Sequence, residues 1–341
     1  MFLLPKPTLL LVHTANSFAG PSLYYAVGLY DDNRTTLLEG LQSANVKVLR
    51  VWLDNLWWMG WASCCNDTVL ERLDDVMLAA NSYGIKLLID MHSYNALAAG
   101  DVFGVTHGIE DFYTDRRAIG LRSAPHSCCD HLSDYIFGFE AENEAMTGDV
   151  SVLRGMLALI RMYVVHGQTF IQDDQQWQCD RAATIKGQLS DDSVLMTGGE
   201  SWMAESVQPD FLTCDYLDVV SIHAYAPTDY YTSSSETYVQ QALSAGRKLI
   251  MEEWGACYFN TSSNDCPSGR ALPPATRNAN IEGWSAKLPW LYWEVIPNAD
   301  PHWDNDYEIG IVDDPSWSTL KQAAQDALDA PAAFDFSEYL L

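Results

Sequence analysis

Eight short apolar segments recur along this chain of 341 residues, each running into polar or aromatic residues, and stretches of helical periodicity alternate with them. Strands that alternate with helices are the mark of parallel βα units rather than of a sandwich, because a parallel pair needs a crossover long enough to hold a helix. Strands are expected at Leu23 to Gly28, Val46 to Leu53, Lys86 to Asp90, from Ile136 to Phe139 onward, Ser193 to Thr197, Val219 to Ile222, Lys248 to Met251 and Pro289 to Trp293. Helices are expected at Thr35 to Ala44, Thr68 to Tyr83 with Gly84 as its stop, Gln176 to Leu189, Thr237 to Ala245, Arg277 to Ala286 and Ser316 to Leu328. The prediction is an α/β protein, a single-domain (β/α)8 TIM barrel over residues 23–341 behind an N-terminal segment of residues 1–22; such barrels typically take about 250 residues.

Two stretches fit this scheme badly. Thr114 to Asp134 barely has room for the third helix, whereas Val150 to Gln175 holds more chain than a βα loop requires. Within the latter, Leu153 to Val165 reads either as an added amphipathic helix over the barrel wall or as a poorly ordered insertion. The start of the chain is equally open. Leu9-Leu10-Leu11-Val12, with Lys6 before it and Ser17-Phe18-Ala19 after it, reads as a signal peptide or as an ordered first strand beneath the barrel; Pro5 and Pro7 count against the former. The longest apolar stretch elsewhere, Val152 to Val165, carries Arg154 and Arg161 and falls short of the ~20 residues that span a bilayer, so no membrane anchor is expected.

A formal net charge of −27 and a pI near 4.3 make nucleic acid a poor partner, since binding to a phosphate backbone depends on Lys and Arg. The same charge suits a protein, expected as a monomer, acting on a neutral substrate in mildly acidic surroundings. The eight cysteines and the sequons at Asn33, Asn66 and Asn260 favour an oxidising, secretory compartment and an extracellular destination. Cys257 and Cys266 are the best candidates for a short disulfide loop, free buried thiols being the alternative. No CxxC or His/Cys cluster has zinc spacing, so neither a metal nor another cofactor is expected.

Two apolar segments end in a carboxylate set for bond-breaking: Phe137-Gly-Phe-Glu-Ala-Glu-Asn143-Glu144 and Lys248-Leu-Ile-Met-Glu-Glu253-Trp254-Gly255. They are more than a hundred positions apart, and only a fold that gathers strand ends on one rim makes them partners. Cleavage of a glycosidic bond with retention needs two carboxyl groups about 5 to 5.5 Å apart, one attacking the sugar and one protonating the leaving oxygen. Donors that would tune them stand at other strand ends: Arg50, His92, His223 and Tyr225. Taken singly, each has an ordinary reading as an ion-pair or packing residue; their joint arrival at the carboxyl ends of strands carries the argument.

The ordered set Arg50-Val-Trp52, Asp90-Met-His92, Asn143-Glu144, His223-Ala-Tyr225, Glu253-Trp254-Gly255 and Tyr292-Trp293 resembles glycoside hydrolase family five, retaining β-glycosidases on a β/α barrel, from about Leu23 to Val312. The resemblance implies Glu144 as acid/base and Glu253 as nucleophile, with Asn143 on the 2-hydroxyl of the sugar. It implies Tyr225 and Arg50 as the groups that keep Glu253 ionised, His92 and His223 as borders of the same subsite, and Trp293 as its stacking floor. Glu252 is set aside as nucleophile because neighbouring strand side chains face opposite ways and the family pattern puts the attacking carboxylate directly before aromatic-Gly. Glu142 shares the expected face of Glu144 but lacks the preceding Asn. Ala145 replaces the family's usual proline.

Trp52, with Trp57, Trp58 and Trp61, is expected either as a sugar platform or as loop packing, and Trp52 has the strongest claim; Trp303, flanked by His302 and Asp304, and Glu200 are further candidates. Arg-x-Trp, Asp111 to Thr114 and Glu252 to Gly255 are most similar to β-mannanases, which implies an endo-β-1,4-mannanase acting on a β-linked polysaccharide. A β-1,4-glucanase or an exo-β-mannosidase is the alternative, and a carbohydrate-binding barrel that has lost catalysis is a second.

Overall fold

The computed structural model describes residues 15–53, 67–98, 134–145, 176–189, 193–225, 232–257, 288–299 and 307–341. Eight parallel strands form one sheet: β1 Ala19–Pro21, β2 Val48–Trp52, β3 Lys86–Asp90, β4 Ile136–Asn143, β5 Leu195–Gly198, β6 Val219–Ala224, β7 Lys248–Trp254 and β8 Trp290–Tyr292. Each strand from β2 to β8 pairs with its predecessor or successor in sequence, and β1 pairs with β8. The ring closes between β1 and β2, where Lys47 N donates to Ala19 O at 3.2 Å and Leu23 N to Arg50 O at 3.0 Å. The strands are buried on both faces, as a sheet covered by helices must be. The longer helices are α1 Asp31–Ser43, α2 Asp67–Ser82, α3 Gln176–Lys186, α4 Thr232–Ala245 and α5 Trp317–Ala327. In α5 the buried residues Leu320, Ala323, Ala324 and Ala327 recur at helical spacing and form the stripe that seats it on the barrel.

Three helix-to-strand turns repeat one device. After α1, α2 and α4 the chain passes through Asn45, Gly84 and Gly246, all at positive φ, and the next N–H reaches back to close the helix. Val46 N donates to Leu41 O at 3.1 Å, Ile85 N to Ala80 O at 3.0 Å and Arg247 N to Ala242 O at 2.9 Å. These are Schellman closures, and Gly or Asn is the residue that enters the left-handed region at least cost.

Seven strands overlap their expected positions; the first does not. Leu23 to Gly28 is not a strand: Leu23, Ala26 and Val27 are buried at helical spacing, Ala26–Gly28 is a 3-10 turn, and the barrel begins upstream at Ala19–Pro21. Ala-Gly-Pro lacks the β-branched and aromatic signature of a strand, which hid it. Gly20 is used there because a Cβ would run into the Val48 carbonyl. Ahead of β1, Ala15–Asn16 pairs antiparallel with Pro331–Ala332. The apolar run Leu9 to Val12, the segments 111–114 and 153–165, and the expected helix Arg277 to Ala286 lie outside the described residues.

Cys179 on α3 is bonded to Cys214, a pairing that was not anticipated. Cys257 is also in a disulfide, and Cys266, its expected partner, lies outside the described residues. Of the sequons, Asn33 is exposed in the first turn of α1, and Asn66 and Asn260 lie outside the described residues. No helix among the described residues is long and apolar enough to cross a membrane.

Candidate active site

The two ends of the barrel differ in chemistry. At the amino ends of the strands, Phe18 before β1 and Phe137 in β4 pack edge-on at 5.5 Å, and Phe336 of the C-terminal tail lies 5.6 Å from Phe18. At the carboxyl ends the side chains are charged. Arg50 on β2 is wholly buried and reaches across the barrel: Nε and Nη2 each donate to Glu140 at 2.7 Å, Nη2 also to Asn143 Oδ1 at 2.8 Å, and Nη1 to Glu253 at 2.7 Å. Glu252 lies 3.4 Å from Nη2. Tyr225, just past β6, donates its hydroxyl to the other Glu253 oxygen at 2.7 Å. Strand ends remote in sequence thus converge on one carboxylate.

Glu144 follows β4 at positive φ, with its N–H on Gly198 O at 3.3 Å. Its carboxylate meets His223 Nδ1 at 3.1 Å, while His223 Nε2 meets Glu252 at 3.3 Å and Ser221 Oγ donates to Glu252 at 2.7 Å. Gly199 backs the imidazole so closely that a Cβ would sit 2.2 Å from Nε2. Glu144, His223 and Glu253 each bring an atom within 4.8 Å of the others. Such a trio has the donor types of a cation site, and both imidazole nitrogens are engaged by carboxylates, Nδ1 by Glu144 and Nε2 by Glu252.

Burial pulls His223 down, yet Glu253, Glu144 and Glu252 outweigh it and raise the imidazole to about 10, so the ring is a cation at neutral pH. Burial pushes Glu253 above the usual carboxylate range; His223, Arg50 and the Tyr225 hydroxyl pull it back, and Glu144 adds to the rise. Burial likewise pushes Glu294 up to about 8 against one backbone donation from Tyr24, with Glu308 and Glu253 repelling its charge.

Both acids that the sequence expected to meet, Glu144 and Glu253, stand together with Arg50, Asn143, His223 and Tyr225. Trp293 is half-buried beside them, packed against Tyr225, Cys257 and Tyr307. Trp52 is different: it is 1% exposed, with the Arg50 guanidinium 4.3 Å over its ring and the Trp293 ring edge-on at 5.4 Å. It therefore shapes the site by holding Arg50 and Trp293 and offers no open face to a sugar. His92 lies one step outward, its Nδ1 3.8 Å from Glu142 and its carbonyl accepting from Asn143 N at 2.8 Å. Glu200 is buried, its N–H held by Ser206 Oγ at 2.9 Å. Trp57, Trp58, Trp61, His302, Trp303 and Asp304 lie outside the described residues.

Strand alternation does not set Glu252 apart from Glu253, although the sequence led one to expect it. From Ile222↔Met251 to His223↔Glu253 the register gains one residue on β7, and it gains one again against β8. This bulge breaks the two-residue alternation, so Glu252 and Glu253 both face the barrel interior and both meet Arg50. What separates them is depth: Glu252 is completely buried and Glu253 is 5% exposed. Sequence reading also passed over Glu140, although a carboxylate inside the apolar run Ile136 to Phe139 and beyond was a usable signal, because a buried charge requires a partner.

Among curated relatives, the mannan endo-1,4-beta-mannosidase A of Podospora anserina is 23% identical over 316 residues, covering 84% of this chain and 81% of that protein. The hyperthermostable endo-1,4-beta-D-mannanase of Thermotoga petrophila RKU-1 superposes with a TM-score of 0.62 at 18% identity, covering 91% of this chain and 99% of its own. The endo-1,4-beta-mannanase of Rhizomucor miehei gives 0.60 at 18% identity, covering 92% of this chain and 95% of its own. The family model for cellulase (glycosyl hydrolase family 5) matches residues 14–299, a span that runs from ahead of β1 to beyond Trp293 and takes in the whole glutamate cluster, and the chain belongs to that family.

Proposed function

We propose that this protein is a secreted endo-β-1,4-mannanase that cleaves by double displacement with retained configuration. Glu253 attacks the anomeric carbon, the bond from that carbon to the leaving oxygen breaks, and the leaving oxygen takes the proton of Glu144. In the second half Glu144, now a carboxylate, removes a proton from water, the water oxygen bonds to the anomeric carbon, and the ester to Glu253 breaks. Arg50 and Tyr225 donate to the ionised form of Glu253 and fix its orientation. Asn143 has its carbonyl oxygen on Arg50, which leaves the amide NH2 as the end that donates to a sugar hydroxyl. His223 positions Glu144 from below, and Trp293 supplies the apolar floor.

One observation carries this reading: an oxygen of Glu144 and an oxygen of Glu253 lie within 4.8 Å of each other, which fits the short gap of ~5 to 5.5 Å between the carboxyl groups of retaining enzymes better than the ~6.5 Å and more that an inverting enzyme leaves for water. The preference for mannan draws on the mannan-acting relatives and on the motifs Arg50-x-Trp52 and Glu252 to Gly255. Secretion draws on the disulfides at Cys179–Cys214 and Cys257. Reducing-sugar release is expected from mannan well above that from carboxymethylcellulose or β-1,3-glucan, with the β-anomer as the first product seen by NMR. Glu253→Ala is expected to abolish turnover and keep oligosaccharide binding; near-normal activity in that variant excludes Glu253 as nucleophile.

A further inference from the structure

Trp202 lies four residues beyond the carboxyl end of β5 with 48% of its surface exposed, unusual for the largest apolar side chain. It is not on a loose loop. Glu205 N and Ser206 N both donate to the Trp202 carbonyl at 3.0 Å, starting the short helix Met203–Ser206. The buried Ser206 hydroxyl lies 3.0 Å from the same carbonyl and accepts from Glu200 N at 2.9 Å, so the turn is pinned from within.

The turn that carries Trp202 also touches the reacting groups. Gly198 O accepts the Glu144 N–H, and Gly199 backs the His223 ring. Four residues of chain separate Trp202 from Gly198 and reach at most ~14 Å, which keeps the Trp202 backbone on the part of the rim that carries Glu144. Direction follows from the order of strands. The nucleophile is on β7 and the floor Trp293 follows β8, beside Tyr24 and Trp52 of the β1 and β2 side. Glu144 follows β4, and β5 and β6 lie next to it, on the far side of the ring from β8, β1 and β2. The oxygen that Glu144 protonates belongs to the departing sugar, so the departing part of the chain runs out over the ends of β4 to β6.

We propose that Trp202 is a stacking platform for a pyranose ring of the leaving portion of the β-linked chain, binding its apolar C–H face beyond the scissile bond. This rests on Glu144 as the acid and deepens the reading above: a platform on the departing side holds a chain across the catalytic pair, as internal cleavage requires.

The test compares wild type with Trp202→Ala and Trp202→Phe on two substrates with the same sugar bound over Trp293: a manno-oligosaccharide long enough to cross the bond on both sides, and an aryl β-glycoside whose leaving group is nitrophenol. Trp202→Ala is expected to lose about tenfold more kcat/KM on the oligosaccharide than on the aryl glycoside, mainly through KM, and Trp202→Phe to recover most of it. Equal losses on both substrates, or none on either, overturn the proposal. If wild type turns over neither mannan nor aryl mannoside, the mannanase reading fails by itself. Calorimetric titration of wild type and Trp202→Ala with manno- and cello-oligosaccharides then decides this one: weaker binding of either by the variant supports it, and equal affinities for both overturn it.

Discussion

Arg50 sets the geometry of the site. A fixed fork of N–H donors meets Glu140 at two points and holds Asn143 and Glu253 in the same plane of contacts, which a lysine at this position has too few directed donors to reproduce. Tyr225 completes the hold on Glu253 from β6. Because its hydroxyl donates to the ionised carboxylate, Tyr225→Phe removes stabilisation of the charged form and pushes Glu253 further up from a value that burial has already raised. In the role proposed for it Glu253 must be ionised to attack, so the acid limb of the kcat/KM profile is expected to move to higher pH in that variant, with the alkaline limb much less affected. An acid limb that stays in place would dissociate Tyr225 from the nucleophile's titration.

At the scale of elements, bulges and turns do what regular strands do not. The extra residue on β7 points two successive glutamates inward, one deep against Ser221 and His223 and one at the mouth against Tyr225. β4 gains a residue against β5 between Glu140 and Asn143, just before Glu144 turns into the left-handed region. Two glycines separate the cost of shape from the cost of function. Gly84 closes α2 at φ 77° with no atom within 4 Å of a built Cβ, so Gly84→Ala pays the backbone strain alone, about 1–2 kcal/mol of stability, and leaves kcat intact. Gly199 has a similar φ of 61°, but its Cβ would meet His223. Gly199→Ala is therefore expected to lower kcat at least tenfold, since a displaced imidazole no longer positions Glu144. Denaturant midpoints and kinetics on the two proteins test both halves, and equal kinetics would mean that the His223 ring is not positioned by this turn.

The molecule as a whole separates stability from chemistry along the barrel axis. Phe18, Phe137, Phe336 and Tyr339 form an aromatic plug at the amino ends of the strands, and Lys248, the first residue of β7, lies 5.9 and 5.2 Å from the Phe336 and Tyr339 rings. Phe336→Ala is expected to cost about 3–5 kcal/mol in denaturant unfolding while kcat stays near wild type below the transition, because its contacts lie at the opposite end from the glutamates. A parallel loss of kcat in the folded variant would couple the two ends. Stability is also expected to be highest in acid. His223 binds its proton more tightly folded than unfolded, about 10 against 6.5, so its contribution is complete below 6.5 and is lost as pH rises through 10. Glu294, at about 8 against 4.5, has the same sign: the unfolded chain gives up this proton first, and stability falls between those values. Melting temperatures should decline from about pH 5 to pH 10, and a flat profile would contradict both assignments. The sequence by itself determined the alternation of elements, seven of the eight strands and the meeting of Glu144 with Glu253, since apolar runs that end in charge are local signals that a parallel barrel converts into a shared rim. Tertiary structure alone decided that Ala19–Pro21 closes the ring, that Glu252 turns inward, that Trp52 is covered, and that Cys179 bonds Cys214. Each of these depends on a bulge, a close backbone approach or a packing partner distant in the chain, none of which leaves a mark in local composition.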